Sequence, residues 1–98
     1  MRINKQEFKK AITSCPTHFL GVSKDYIAEP DVVESYLPKD GEFVEMRKGT
    51  LHSTYIQFNT GSRLYIYEGK CSVYHYPNWS VYLYTNKGGR TMYYAIPV

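Results

Sequence analysis

The residues able to do chemistry are three histidines, His18, His52 and His75, together with Glu68, Arg63 and Arg90. A small ribonuclease needs a general base, a general acid and a cation beside the phosphate. His52, Glu68 and His75 on neighbouring strands could supply that set. Their spacing is not diagnostic, because acids and bases occur in any chain of this length and a neutral, hydrogen-bonded histidine is ordinary at a strand margin. Cys15 and His18 form a C-x-x-H pair, a thiol beside a base. No nucleophile motif surrounds it, and Pro16 at a helix end accounts for the local sequence. The same pair is half a zinc site with no second half elsewhere. Gly88-Gly89 is a hairpin turn and not a phosphate loop, since no helix follows it. The sequence therefore argues against an enzyme, and no metal or cofactor is expected.

The elements that would carry these residues are dominated by tyrosine. Nine of the eleven tyrosines fall between Tyr55 and Tyr94, and most alternate with aliphatic residues. Leu64-Tyr65-Ile66-Tyr67, Val73-Tyr74-His75-Tyr76 and Val81-Tyr82-Leu83-Tyr84 show the pattern. A period of two marks strands whose side chains part to opposite faces. Read simply, it predicts one mainly aliphatic face, with Ile56, Phe58, Leu64, Ile66, Val73, Trp79, Val81, Leu83, Met92, Tyr94 and Ile96, and one phenol face. Tyr65, Tyr67, Tyr74, Tyr76, Tyr82, Tyr84 and Tyr93 would form the phenol face, with Tyr55 nearby. Arg63, Lys70, Lys87 and Arg90 would sit at its margins.

Asn4 reads as the N-cap of a first helix, Glu7 as the acidic residue of a capping box, and Ile3 and Phe8 as a hydrophobic staple. Phe8, Ala11 and Ile12 make one apolar stripe, and Pro16 stops the helix near Thr13. So short a helix must dock to persist. His18–Val22 is a strand or an extended connection. Pro30 opens a second short helix that buries Val32, Val33, Tyr36 and Leu37 and closes at Pro38. Strands are expected at Phe43–Arg47, Leu51–Phe58, Arg63–Tyr67, Cys71–Tyr76, Trp79–Tyr84 and Thr91–Ile96, separated by turns rich in Gly, Asn and Pro. The stretch beginning at Tyr55 echoes that beginning at Tyr82: strand, Asn/Gly turn, Arg, strand.

The expected fold is α+β in a single domain spanning residues 1–98. A helical N-terminal part, residues 1–40, precedes an antiparallel sheet over residues 42–97. That sheet is a six-stranded meander, twisted or barrel-like, with two short N-terminal helices packed on one face. No apolar run is long enough for a membrane span or a secretory leader, so a cytoplasmic protein with two free thiols is expected. Residues 1–50 carry eight basic and eight acidic side chains, whereas residues 51–98 carry Arg63, Lys70, Lys87 and Arg90 against Glu68 alone. The whole net charge of +3 thus lies in the tyrosine-rich half. Exposed tyrosines beside cations suit a non-catalytic binding surface. A protein partner is favoured over single-stranded nucleic acid, because the charge is modest and no RNP-type motif is present. Self-association into a homodimer through the tyrosine face also fits. Few Ala and Leu beside many Tyr, Lys and Asn suggest an AT-rich genome, and hence a bacteriophage or mobile-element inhibitor of a host or defence protein.

Overall fold

A computed structural model describes residues 1–24, 29–40, 42 and 44–98. Over the described residues the chain is α+β, with two helices, one six-stranded antiparallel sheet and a second sheet of three strands. Helix α1 spans Lys5–Ser14, and its start is fixed as the sequence predicts: the Glu7 N–H donates to the Asn4 side-chain oxygen at 2.8 Å. Helix α2, Pro30–Ser35, carries Pro at its first position, where the missing N–H costs nothing. Strands β1 (Arg2–Ile3) and β2 (Thr17–Ser23) are interleaved with these helices, so the first part of the chain is not purely helical.

The remaining strands are β3 (Met46–Arg47), β4 (Gly49–Leu51), β5 (Tyr55–Phe58), β6 (Arg63–Tyr65), β7 (Gly69–His75), β8 (Trp79–Asn86) and β9 (Thr91–Pro97). The large sheet runs β1-β7-β8-β9-β2-β3, and the small sheet runs β4-β5-β6. The expected six-strand meander is therefore corrected. β7, β8 and β9 follow one another in chain order, β2 and β3 form a separate hairpin-like pair at one side of them, and β1 adds to the other side. Among the described residues the sheet is open, ending at β1 and β3, and does not close into a barrel. The expected Leu51–Phe58 strand breaks at residues 52–54, where the His52 N–H donates to the Tyr55 carbonyl and reverses the chain. Phe43, expected to open the strand now seen at Met46–Arg47, lies outside the described residues.

The two helices cover opposite faces of the large sheet, not one face. Phe8 and Ile12 of α1 join Val73, Tyr84 and Tyr94, and Ile56, Phe58, Leu64 and Ile66 of the small sheet close over the same cluster. On the other face, Val33 of α2 packs with Val81, Leu83, Tyr93 and Ala95. The predicted staple is present in the first cluster, where Ile3 and Phe8 are both buried.

The single phenol face does not form. Alternation within each strand is real, but neighbouring strands are out of phase with one another. Val73 pairs with Tyr82, and Tyr74 with Val81. Directly paired residues of antiparallel strands share a face. Each face of the large sheet therefore receives both phenols and aliphatic groups, and each is roofed by other elements.

Candidate functional site

The tyrosines fall into three environments. Tyr84 and Tyr93 are buried, at 1% and 0% exposure, and cannot offer a surface to a partner. Tyr84 lies against Phe8, and its hydroxyl donates to the Glu68 carbonyl at 2.8 Å. Tyr93 stacks on Tyr36, with centroids 4.2 Å apart. Tyr74, Tyr76 and Tyr82 are half-buried: Tyr74 and Tyr76 pack on the α2 side, Tyr82 on the α1 side. Tyr76 ties the end of β7 to α2, donating its hydroxyl to the Pro30 carbonyl at 2.8 Å. Partial burial, and then the nearby Glu34 carboxylate, push its phenol pKa above the ordinary value. Among the described tyrosines only Tyr65 and Tyr67 remain largely exposed, at 44% and 59%.

Those two belong to the outer face of the small sheet, and the local sequence explains why that face is built. Along β5 and β6 the even-numbered Ile56, Phe58 and Leu64 are buried. The odd-numbered Tyr55, Gln57, Arg63 and Tyr65 must then point outward. The ring of His52, in the β4–β5 turn, stacks on Tyr55 at 4.7 Å and 12°. Tyr55 meets Tyr65 across the strand pair at 5.3 Å, and Tyr65 meets Tyr67 at 5.9 Å and 20°. The four rings form a continuous ladder across the sheet.

Arg63 crosses this ladder. Its guanidinium carbon lies 4.7 Å from the Tyr55 centroid, and its Nε donates to the Gln57 side-chain oxygen at 2.6 Å. A hydrogen bond to Tyr65 raises its pKa further, with smaller contributions from the Tyr55 and Tyr65 phenols, so it is a permanent cation. His52 was not among the residues expected to face a partner, and Tyr55 was expected only near them. The signal for Tyr55 was its place two residues before buried Phe58's neighbour Gln57 in the same alternation.

Beside the ladder, a groove of about 460 Å³ runs between β6 and the large sheet. Arg47, Arg63 and Arg90 line it, with Phe19, Met92 and Tyr94 among its apolar walls. Arg47 was also missed by sequence reasoning, since its half of the chain is neutral in sum. Its guanidinium lies 3.7 Å from the Phe19 centroid and pairs with Glu45 at 2.9 Å. Lys87 pairs with Glu68 at 3.4 Å, both side chains being well exposed, which makes the pair weak. Lys70 and Lys87 line a neighbouring cleft with Arg2 and Glu68.

The residues considered for catalysis have separate partners. The His75 ring nitrogen shares a hydrogen bond with the Ser80 hydroxyl at 2.9 Å, His52 stacks on Tyr55, and Glu68 pairs with Lys87. His18 packs edge-on against Trp79 at 5.0 Å, and Cys15 is the residue that ends α1. Cys15 and Cys71 are free thiols. Among the described residues no group of three or more His, Cys, Asp or Glu could hold a metal ion, and no helix is long and apolar enough to cross a membrane. Compared with protein-family models, curated proteins and solved structures, the chain matches none.

Proposed function

We propose that the chain is a non-catalytic binding protein that occupies the surface of a partner protein through the outer face of its small sheet. One observation carries this reading: His52, Tyr55, Tyr65 and Tyr67 form an unbroken ring ladder, crossed by Arg63, with Tyr65 and Tyr67 largely in solvent. The inner side of that sheet already satisfies the core, so the outer rings are not needed for packing. Tyr and Arg are the side chains that most often anchor protein interfaces. They provide large contact area with few rotors to freeze.

The way the rings touch favours protein over single-stranded nucleic acid. Bases stack on aromatic faces that lie open on a sheet. Here the Tyr55 ring is already engaged by His52 and by Arg63. Rings packed on one another leave less open face for a base to stack on, which favours protein contact. Arg63, Arg90 and Lys87 nearby suit a partner with acidic groups. Chain size and composition fit a phage or mobile-element inhibitor that covers a host or defence protein.

The test is affinity capture from host lysate, with and without nuclease, comparing the wild type with a Tyr65→Ser/Tyr67→Ser double variant. A protein retained through nuclease treatment and lost with the double variant supports the reading. A partner released by nuclease, or one captured equally by a correctly folded double variant, overturns it.

A further inference from the structure

The free edge of β6 adds to this picture. β6 ends the small sheet and pairs only with β5 among the described residues. The Phe58 N–H donates to the Ser62 carbonyl at 2.9 Å, and the Ile66 N–H to the Thr54 carbonyl at 3.4 Å. Backbone bonding in an antiparallel pair alternates along the strand. Ser62, Leu64 and Ile66 therefore aim their backbone groups at β5. Arg63 and Tyr65 aim theirs away, at the arginine-lined groove. An unpaired edge is a template for another strand unless it is covered.

The geometry points to an extended acidic segment of a partner protein as the occupant of this groove, added as a strand to β6. The inference rests on the binding reading above and specifies its partner. Strand addition supplies backbone hydrogen bonds, and pockets for alternate side chains supply specificity. Here both parts exist. Side chains of the added strand on the Arg63 side would meet guanidinium groups. Those on the Leu64 side would meet the apolar wall of Met92 and Tyr94. The charge argument selects an acidic segment. Three arginines line the groove, no Asp or Glu does, and among the described residues only Arg47 of the three has a carboxylate partner. Carboxylates can accept two parallel N–H bonds from a guanidinium, which fixes register as well as affinity.

The probe is a short acetylated peptide alternating valine and glutamate, titrated into the isotope-labelled full chain and followed by amide chemical shifts. Shifts should concentrate at Arg63, Tyr65 and Arg90. Two further peptides separate strand pairing from charge attraction: one N-methylated at every valine, the other at every glutamate. Only one edge of an added strand faces β6, so one methylated peptide should lose about tenfold or more in affinity while the other keeps it. Substituting lysine for glutamate in the peptide should abolish binding, and Arg90→Glu should weaken it. Equal affinity of the two methylated peptides, or no shift at Arg63 and Tyr65, overturns the proposal. Its failure is distinct from failure of the ladder reading. A partner lost with the Tyr65→Ser/Tyr67→Ser variant but kept by Arg90→Glu would leave the ladder standing without the groove.

Discussion

The division of tyrosines into buried and exposed sets can be tested by truncating one of each. Tyr84 is 1% exposed, packs on Phe8 and donates its hydroxyl to the Glu68 carbonyl. Reducing a buried aromatic side chain to alanine costs about 3–5 kcal/mol, transfer and cavity together. The hydrogen bond contributes roughly 1 kcal/mol of its own, but the acceptor belongs to an exposed residue, so water can replace the donor. A total near 4 kcal/mol follows for Tyr84→Ala. For a chain of 98 residues each kcal/mol moves the melting temperature by roughly 4–8 °C, so the midpoint should fall by about 15–30 °C. Tyr84→Phe keeps the ring and should lose only about 1 kcal/mol. Tyr67→Ala removes a ring that is 59% exposed and should stay within about 0.5 kcal/mol of wild type. Thermal melts by circular dichroism on all three variants read the comparison directly. If Tyr84→Ala melts within a few degrees of Tyr67→Ala, the placement of Tyr84 in the core is wrong.

Other perturbations probe the same architecture. Cys71 is buried, and loss of hydration pushes its thiol from an ordinary 9.0 up to about 11, whereas Cys15 is only half-buried. A thiol reagent at neutral pH should therefore modify Cys15 first and reach Cys71 at the rate of unfolding, and fast modification of both would contradict this burial. Burial likewise holds the Tyr94 phenol up at about 12 against an ordinary 10.0, so the unfolded chain gives up its proton first as pH rises between those values. Stability contributed by the neutral phenol is complete below pH 10.0 and should decline by about 2 kcal/mol by pH 12, read as a falling urea midpoint that Tyr94→Phe flattens. At Gly69, φ is +147° and an added Cβ would lie 2.2 Å from the Thr85 carbonyl oxygen. Gly69→Ala should cost at least about 2 kcal/mol in urea unfolding, and an unchanged midpoint would show that the backbone there is not held as described.

Local signals in the chain were readable where one residue type has one structural use. Asn4 with Glu7 marked the start of α1, and Pro30 the start of α2. Gly61 and Gly89 marked the tips of two hairpins, and both have positive φ. The two turns even share their bonding. The Phe58 N–H reaches the Ser62 carbonyl as the Asn86 N–H reaches that of Arg90, and the Gly61 and Gly89 N–H groups return to Phe58 and Asn86. The echo seen in the sequence is thus structural but offset by one residue, since it aligned Asn59 with Asn86. What depends on distant partners was not readable. Arg2–Ile3 is too short to show any period, and it becomes a strand only because β7 offers an edge. The small sheet gains β4 beside β5 because the chain turns at His52, within a run whose composition reads as one strand. Arg47 gained its place through Phe19 and Glu45, contacts that no count of charges reveals.

The relation between the tyrosine rows was nevertheless encoded, in the length of the turns. Tyr76 and Trp79 exchange backbone hydrogen bonds around Pro77-Asn78, so a two-residue loop joins β7 to β8. An even number of intervening residues always pairs an odd-numbered position with an even-numbered one. Odd positions of β7 then share a face with even positions of β8, and Val73 must lie beside Tyr82. Between β8 and β9 the loop of Lys87, Gly88 and Gly89 is odd, so parity is kept and Tyr82 lies beside Tyr94. Had the first turn taken its third residue from β7 or β8, shifting the pairing by one, Tyr74 would share a face with Tyr82 and Tyr94, and one side of the sheet would be crowded with phenols. The even turn instead gives each face a mixture of rings and aliphatic side chains that a helix can cover on either side. Tyrosine-rich strands can thereby build two cores, and among the described tyrosines the two left largely exposed, Tyr65 and Tyr67, follow from a small sheet with a single covered face.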